Sequence, residues 1–306
     1  MTLAVIFSIL ASLLWAITNH IDKYMLSGTK ENENTIKVLL MFSTFVAGIV
    51  LTPLWLILSG FNISISITSL ISVLCGSVIY IFATLLYFKA IKKNDASLVV
   101  VMFQLIPVFS YILALILFKE NLTVNQILGS ILIIISAVII SFDFEEKNKS
   151  NKFEALILMI LSSLFYAIYF ILFDVGIRHG NYYACAFWYQ IGFLVMGLVL
   201  LCIKGFRVPF IETIKRNGKR FLTLNVTNEA INLAANLLVN YANVLIPVAL
   251  VNVLNVFQGA FVFIIGLLVT IMFPKYIKED LRKGIIIQRI LCIIIGIIGL
   301  IILVGK

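Results

Sequence analysis

Between Phe221 and Val244 an otherwise apolar stretch carries asparagine and one acid every three or four residues: Asn225, Asn228, Glu229, Asn232, Asn236, Asn240 and Asn243. On a helix that spacing collects them into one stripe. An ionised carboxylate in mid-membrane costs at least about 2.5 kcal/mol on insertion scales, so Glu229 should line water, meet a cation or hold a proton. A second stripe runs through Ser77, Tyr80, Thr84 and Tyr87, with hydroxyls where the first has amides and an acid. Gln104, ahead of Pro107, and Asn252, Asn255 and Gln258 add further amides. Such groups supply donors and acceptors to a polar solute, while Trp15 and Tyr166 offer faces to an apolar or cationic part.

Each of these has a plainer reading. Asparagine and serine in membrane helices often bridge neighbouring helices, at about 0.6 kcal/mol per bond on average. Aromatic residues there commonly pack or anchor at the interface. Asn19, His20, Asp22 and Lys23 are most simply a solvated helix end, and Asp174 with Arg178 a surface i, i+4 pair. Cys292, Gly296 and Gly299 provide small surfaces for close helix contact. Cys75, Cys185 and Cys202 lie scattered in apolar sequence, without zinc or redox spacing. His20 and His179 lie far apart in the chain, with no nucleophile elbow, phosphate-cradling loop or paired carboxylates. No catalytic residue, metal or cofactor is expected.

The elements that carry these residues are membrane spans. At 62% hydrophobic and 12% charged, the chain holds more apolar surface than a soluble domain of its length could bury. A hydrocarbon core of roughly 30 Å needs about 20 helical residues. The apolar runs are continuous rather than alternating, which makes them helices. Ten are read: Leu3 to Leu26, Lys37 to Leu58, Ile67 to Ile91, Ser97 to Phe118, Gln126 to Phe142, Phe153 to Ile177, Tyr183 to Ile203, Phe221 to Val244, Pro247 to Phe273 and Gly284 to Val304. The first lacks a basic leader and runs into Asp22-Lys23, so it is read as retained.

Lysine and arginine crowd the odd-numbered connections: Lys23, Lys30 and Lys37; Lys89, Lys92 and Lys93; Lys147, Lys149 and Lys152; six between Lys204 and Arg220; and Lys275, Lys278, Arg282 and Lys283. The even connections and the C-terminus offer Lys119, Arg178 and Lys306. The positive-inside rule therefore sets the odd connections in the cytoplasm and both termini outside a plasma membrane. The net charge of +9 is an insertion signal, or a contact for anionic lipid at the Lys204 to Arg220 segment, rather than a nucleic-acid footprint.

A hydrophilic linker, Asp143 to Lys152, divides the chain into five helices over 1–145 and five over 146–306. Ser12 to Ile17 reads like Ser163 to Ile168, Ala83 to Leu86 like Ala235 to Leu238, Ala90 falls on Ala242, and Glu120-Asn121-Leu122 faces Glu279-Asp280-Leu281. An odd number of helices per copy inverts one copy in the membrane. The expected fold is an all-α integral membrane protein of two inverted five-helix repeats.

The chain resembles the drug/metabolite transporter superfamily, in particular its EamA-like ten-helix members. The resemblance rests on Leu14-Trp15-Ala16, Tyr87-Phe88-Lys89-Ala90, Pro107, and Glu120-Asn121-Leu122-Thr123 followed by Gln126 and Gly129. It implies inverted repeats around a cavity, with substrate between the third, fourth, eighth and ninth helices. Relatives are expected to keep both termini in the cytoplasm; here the charges say the reverse, and the charges are followed.

The expectation is a secondary transporter of a small polar or amphipathic metabolite, amino-acid-like or amine-like, working by alternating access with Glu229 as the proton-coupling group. Its partners are the solute, the bilayer and protons, and the sequence does not set the oligomeric state. A passive channel on the same helices is the alternative, followed by an integral-membrane enzyme acting on lipid.

Overall fold

In the computed structural model, residues 2–27, 33–118, 123–141, 149–178, 180–245, 251, 254–255, 257–272 and 279–304 are described. Among them the chain is helical, with no strand. Helix α1 covers Thr2–Ser27, α2 Glu33–Met41 and α3 Ala47–Leu58, with a π-helical turn over Phe42–Val46 between the last two. Then follow α4 (Ile67–Lys93), α5 (Ala96–Val101), α6 (Leu105–Phe118), α7 (Val124–Ser141), α8 (Lys149–Arg178), α9 (Tyr182–Cys202), α10 (Lys204–Leu245), α11 (Phe257–Met272) and α12 (Lys283–Val304). Among the described residues, six helices are long and apolar enough to cross a membrane, and three apolar helical stretches are shorter.

Two elements depart from the spans read in the sequence. Helix α10 begins at Lys204, so the basic segment assigned to a connection is its first half. Hydropathy locates apolar spans, whereas charged residues such as Lys215 and Arg216 are good helix formers and do not end a helix. The fourth span is continuous but changes pitch: a 3₁₀ turn over Met102–Gln104 joins α5 to α6. Pro107 lacks an N–H for the carbonyl of Phe103 and crowds it, which accounts for the change.

The chain divides into two compact units. The first comprises Met1–Lys30, Tyr87–Ser163 and Ala230–Lys306. Within it α12 packs along α7, and α11 lies against α1 and α5. Leu105, Val108, Ile133 and Leu300 form one of its cores, and Ala4, Ala242 and Val251 another. Gly299 lets α12 approach α7, since a Cβ there would stand 3.0 Å from the Gly129 carbonyl oxygen. The Ser136 hydroxyl donates to the Cys292 carbonyl at 2.8 Å.

The second unit comprises Glu31–Leu86 and Leu164–Glu229. There α3 and the π turn pack on α9. The closest approach is at Gly197, where a Cβ would lie 2.6 Å from Phe45 Cα, so only glycine fits without moving backbone. Phe210 on the basic half of α10 is buried edge-on to Phe42, with ring centroids 5.2 Å apart.

Candidate functional site

Trp15, Asn19 and Lys23 recur every four residues along α1 and, with Asp22, give it a polar face inside an apolar helix. In the first unit that face meets the polar residues of α4, α10 and α11. Trp15 Nε1 donates to Asn232 Oδ1 at 3.0 Å. Asn236, which is exposed, donates from Nδ2 to the Asn232 backbone carbonyl at 2.8 Å and to its side-chain Oδ1 at 3.3 Å. Asn19 Nδ2 donates to Tyr87 Oη at 2.7 Å and receives Gln258 Nε2 at 2.8 Å, while Tyr87 Oη donates to Asp22 Oδ2 at 3.1 Å. His20 Nε2 donates to the Val262 carbonyl at 2.8 Å.

Asn19, His20 and Asp22 are therefore buried rather than a solvated helix end. Lys23 is occupied too: its ammonium donates to the carbonyls of Ile91 at 2.9 Å and Asn94 at 2.7 Å. These carbonyls close the C-terminal end of α4, where a cation satisfies otherwise orphaned acceptors. Their side chains satisfy one another because lipid offers no alternative partner.

Among the described residues of this unit, three side chains carry a buried polar atom without a hydrogen-bond partner. Gln104 is unpartnered at both Oε1 and Nε2, and Asn255 Oδ1 and His20 Nδ1 are likewise unmatched. Gln104 sits on the 3₁₀ turn, with its amide pressed against Gly296 of α12. A buried amide left unmatched costs about 1–3 kcal/mol.

The second unit collects the other candidates. Thr84 Oγ1 lies 3.1 Å from Tyr166 Oη, and the Tyr80 ring stands edge-on to Tyr166 and to Tyr169, each at 5.2 Å. Tyr189 stacks on Tyr169 at 5.2 Å. Phe193 closes the group at 4.5 Å from Tyr189. Ser77 is buried and donates back to the Leu74 carbonyl at 2.7 Å, with Gly192 leaving room for its hydroxyl. Asn225 is buried and bonds the Phe221 carbonyl at 3.1 Å, and Glu229 is half-buried.

The candidate residues thus fall in two sets. Trp15, Tyr87, Gln104, Asn232, Asn236 and Asn255 belong to the first unit, and Ser77, Tyr80, Thr84, Tyr166, Asn225 and Glu229 to the second. Asn252 lies outside the described residues, as do His179 and Pro247. Asp174 and Arg178 form the expected surface pair at 2.7 Å.

One group was not singled out from the sequence: Asp95, Glu279 and Arg289. Glu279 and Arg289 are buried, with Arg289 Nη1 donating to Glu279 Oε2 at 3.0 Å and Nη2 to Asp95 Oδ2. Arg289 lies within the last apolar span, and a lone arginine there was a legible signal that a carboxylate must fold in to meet it.

Among the described residues the chain is helical, with six helices long and apolar enough to cross a membrane and polar side chains buried among them, the pattern of a multi-pass membrane protein. Residues 2–142 match the EamA-like transporter family, in agreement with the resemblance read from the sequence. The match suggests a membrane-transport role. No curated protein matches the chain. One crystal structure of a protein aligns with 97% of this chain and 95% of its own, at 12% identity and a TM-score of 0.49.

Proposed function

We propose that the protein is a secondary transporter carrying a small polar or amphipathic metabolite, amino-acid-like or amine-like, across the plasma membrane. It works by alternating access between inverted halves 1–145 and 146–306. The observation that carries this reading is the unmatched amide of Gln104, joined in the same unit by Asn255 Oδ1 and by the Trp15–Asn232 and Asn19–Tyr87–Asp22 bonds. A solute with donors and acceptors would complete them.

The inverted repeat is supported by contacts that recur at one shift along the chain. Ser12 Oγ reaches the Leu254 carbonyl at 3.4 Å, and Ser163 Oγ reaches the Met102 carbonyl at 3.4 Å. Within one residue, the shift that takes Ser12 to Ser163 also takes Met102 to Leu254. It likewise takes Trp15 to Tyr166 and Tyr80 to Asn232, and both Trp15–Asn232 and Tyr166–Tyr80 are in contact. Ala83 and Ala235, and Ala90 and Ala242, are fully buried in matching pairs. Short sequence matches arise by chance, but shared contacts at the same shift are a property of the fold.

Glu229 would bind a proton or a cationic group of the solute. In proteoliposomes, Glu229→Gln should abolish uptake driven by a proton gradient while leaving exchange intact. A wild-type rate would remove that role. Counterflow separates a carrier from a pore, because only alternating access gives trans-stimulation by unlabelled solute. A thermal-shift screen over amino acids, amines, nucleobases, sugars and phosphorylated metabolites identifies the solute class, since a ligand of the folded state raises the melting temperature. A reporter fused after Lys306 should read extracytoplasmic.

A further inference from the structure

The turn between α11 and α12 inserts an acid into the first unit. Glu279 is 3% exposed and Arg289 is 2% exposed. Glu279 Oε2 accepts Ser97 Oγ at 2.6 Å and Arg289 Nη1 at 3.0 Å, and its Oε1 accepts the Ser97 amide at 3.4 Å. Its own N–H donates to Thr270 Oγ1 at 3.0 Å. Gly266 of α11 makes room, since a Cβ there would stand 2.7 Å from the carboxyl carbon. Arg289 also holds Asp95, whose Oδ2 accepts the Asp280 amide at 3.1 Å. One guanidinium thus ties the α4–α5 connection, the α11–α12 turn and α12 together.

Among the described residues, the charges around Glu279 do not balance. Two carboxylates share Arg289. Among the described residues Lys23 also acts on both, but its ammonium is engaged by the α4 carbonyls. Asp280 is paired outside with Arg282 at 2.7 Å, and that pairing holds its carboxyl below the usual range. A proton entering the cluster goes to the carboxylate that is worse solvated. The side chain of Glu279 is 2% exposed and that of Asp95 21%. Burial first, and the Asp95 charge second, push the Glu279 carboxyl up to about 7, against the pull of Arg289 and Ser97.

We propose that Glu279 is a proton-binding site in the first unit, and that proton uptake there loosens Arg289 from the α11–α12 turn while leaving it bound to Asp95. The incoming proton adds to a Glu279 oxygen, the ion pair with Nη1 becomes a weaker hydrogen bond from the guanidinium to a neutral acid, and Arg289 keeps its ion pair with Asp95 in the α4–α5 connection. Glu279 and Asp280 keep their backbone bonds to Thr270 and Asp95 but lose the ion pair to α12. The use of the proton in coupling rests on the transporter reading; the proton site stands on the cluster alone.

The test is infrared difference spectroscopy of the purified full-length protein in lipid nanodiscs, titrated from pH 5 to pH 9. A protonated-carboxyl C=O band should titrate with a midpoint near pH 7, vanish in Glu279→Gln and persist in Glu229→Gln. A band that persists in Glu279→Gln, or no band titrating above pH 6, overturns the assignment. Ser97→Ala covers the case in which Glu279→Gln does not fold. It keeps the acid and removes a hydrogen bond to its charged form, so proton binding should tighten about tenfold, and an unchanged or lower midpoint counts against the proposal. Because the band is read without any solute, its failure is distinct from a failure to find transport.

Discussion

Replacing Gln104 by methionine separates packing from function at one residue. Gln104 is 7% exposed and neither amide atom has a partner, yet methionine matches its length and fills the same place against Gly296. An unmatched buried amide costs about 1–3 kcal/mol, and a volume-conserving swap introduces less than about 1.5 kcal/mol of new strain. Solute-free Gln104→Met should therefore be at least as stable as the wild type and up to about 2 kcal/mol more so. The same variant should lose the thermal shift given by any solute found in the screen, because the donor and acceptor for it are gone. The assay is thermal unfolding in one detergent, with and without solute, alongside proteoliposome uptake. A Gln104→Met protein that unfolds well below the wild type, or that still binds and transports solute normally, would refute the reasoning, since the amide would then be structural or idle.

Trp15→Phe keeps the ring but removes the N–H given to Asn232, so it should cost about 0.5–1.5 kcal/mol in thermal unfolding and weaken solute binding; no change in either counts against a joint role. Gly197→Ala should destabilise the protein by about 1–3 kcal/mol, because the added methyl meets the Phe45 backbone at 2.6 Å and backbone cannot rotate away. Stability should depend on pH through Glu279. A carboxyl raised from 4.5 to about 7 binds its proton more tightly in the folded state, so its stabilising contribution is full below pH 4.5 and lost as pH rises toward 7. Relative to Glu279→Gln, the wild type should lose about 1.4 kcal/mol per pH unit inside that window, measured as the difference in unfolding free energy; equal slopes would show that Glu279 does not titrate there.

What the sequence determined by itself was the class and the ingredients. Continuous apolar runs near membrane length can only be helices, because lipid leaves backbone groups no other partner, and Ser77, Thr84, Gln104 and Asn225 within them are buried for the same reason, whereas Asn236 is exposed. The asparagine stripe, the hydroxyl stripe from Ser77 to Tyr87, the helix distortion at Pro107 and the close contacts at Gly296 and Gly299 followed from local spacing. So did the Asp174–Arg178 pair, whose partners are one turn apart.

Tertiary structure decided which of these residues meet. Asn19, Asp22 and Lys23 look like a helix end until the α4 carbonyls and Tyr87 come in from nearly seventy residues away. The basic stretch from Lys204 looked like a loop because hydropathy reports solvent, not backbone conformation, and helix α10 carries it unbroken. The Asp95–Arg289–Glu279 tie joins residues from three parts of the chain, and no local periodicity encodes such a contact. Helical spacing fixes which face a side chain is on; only packing fixes what that face meets, and burial makes an unmatched charge too costly to leave alone.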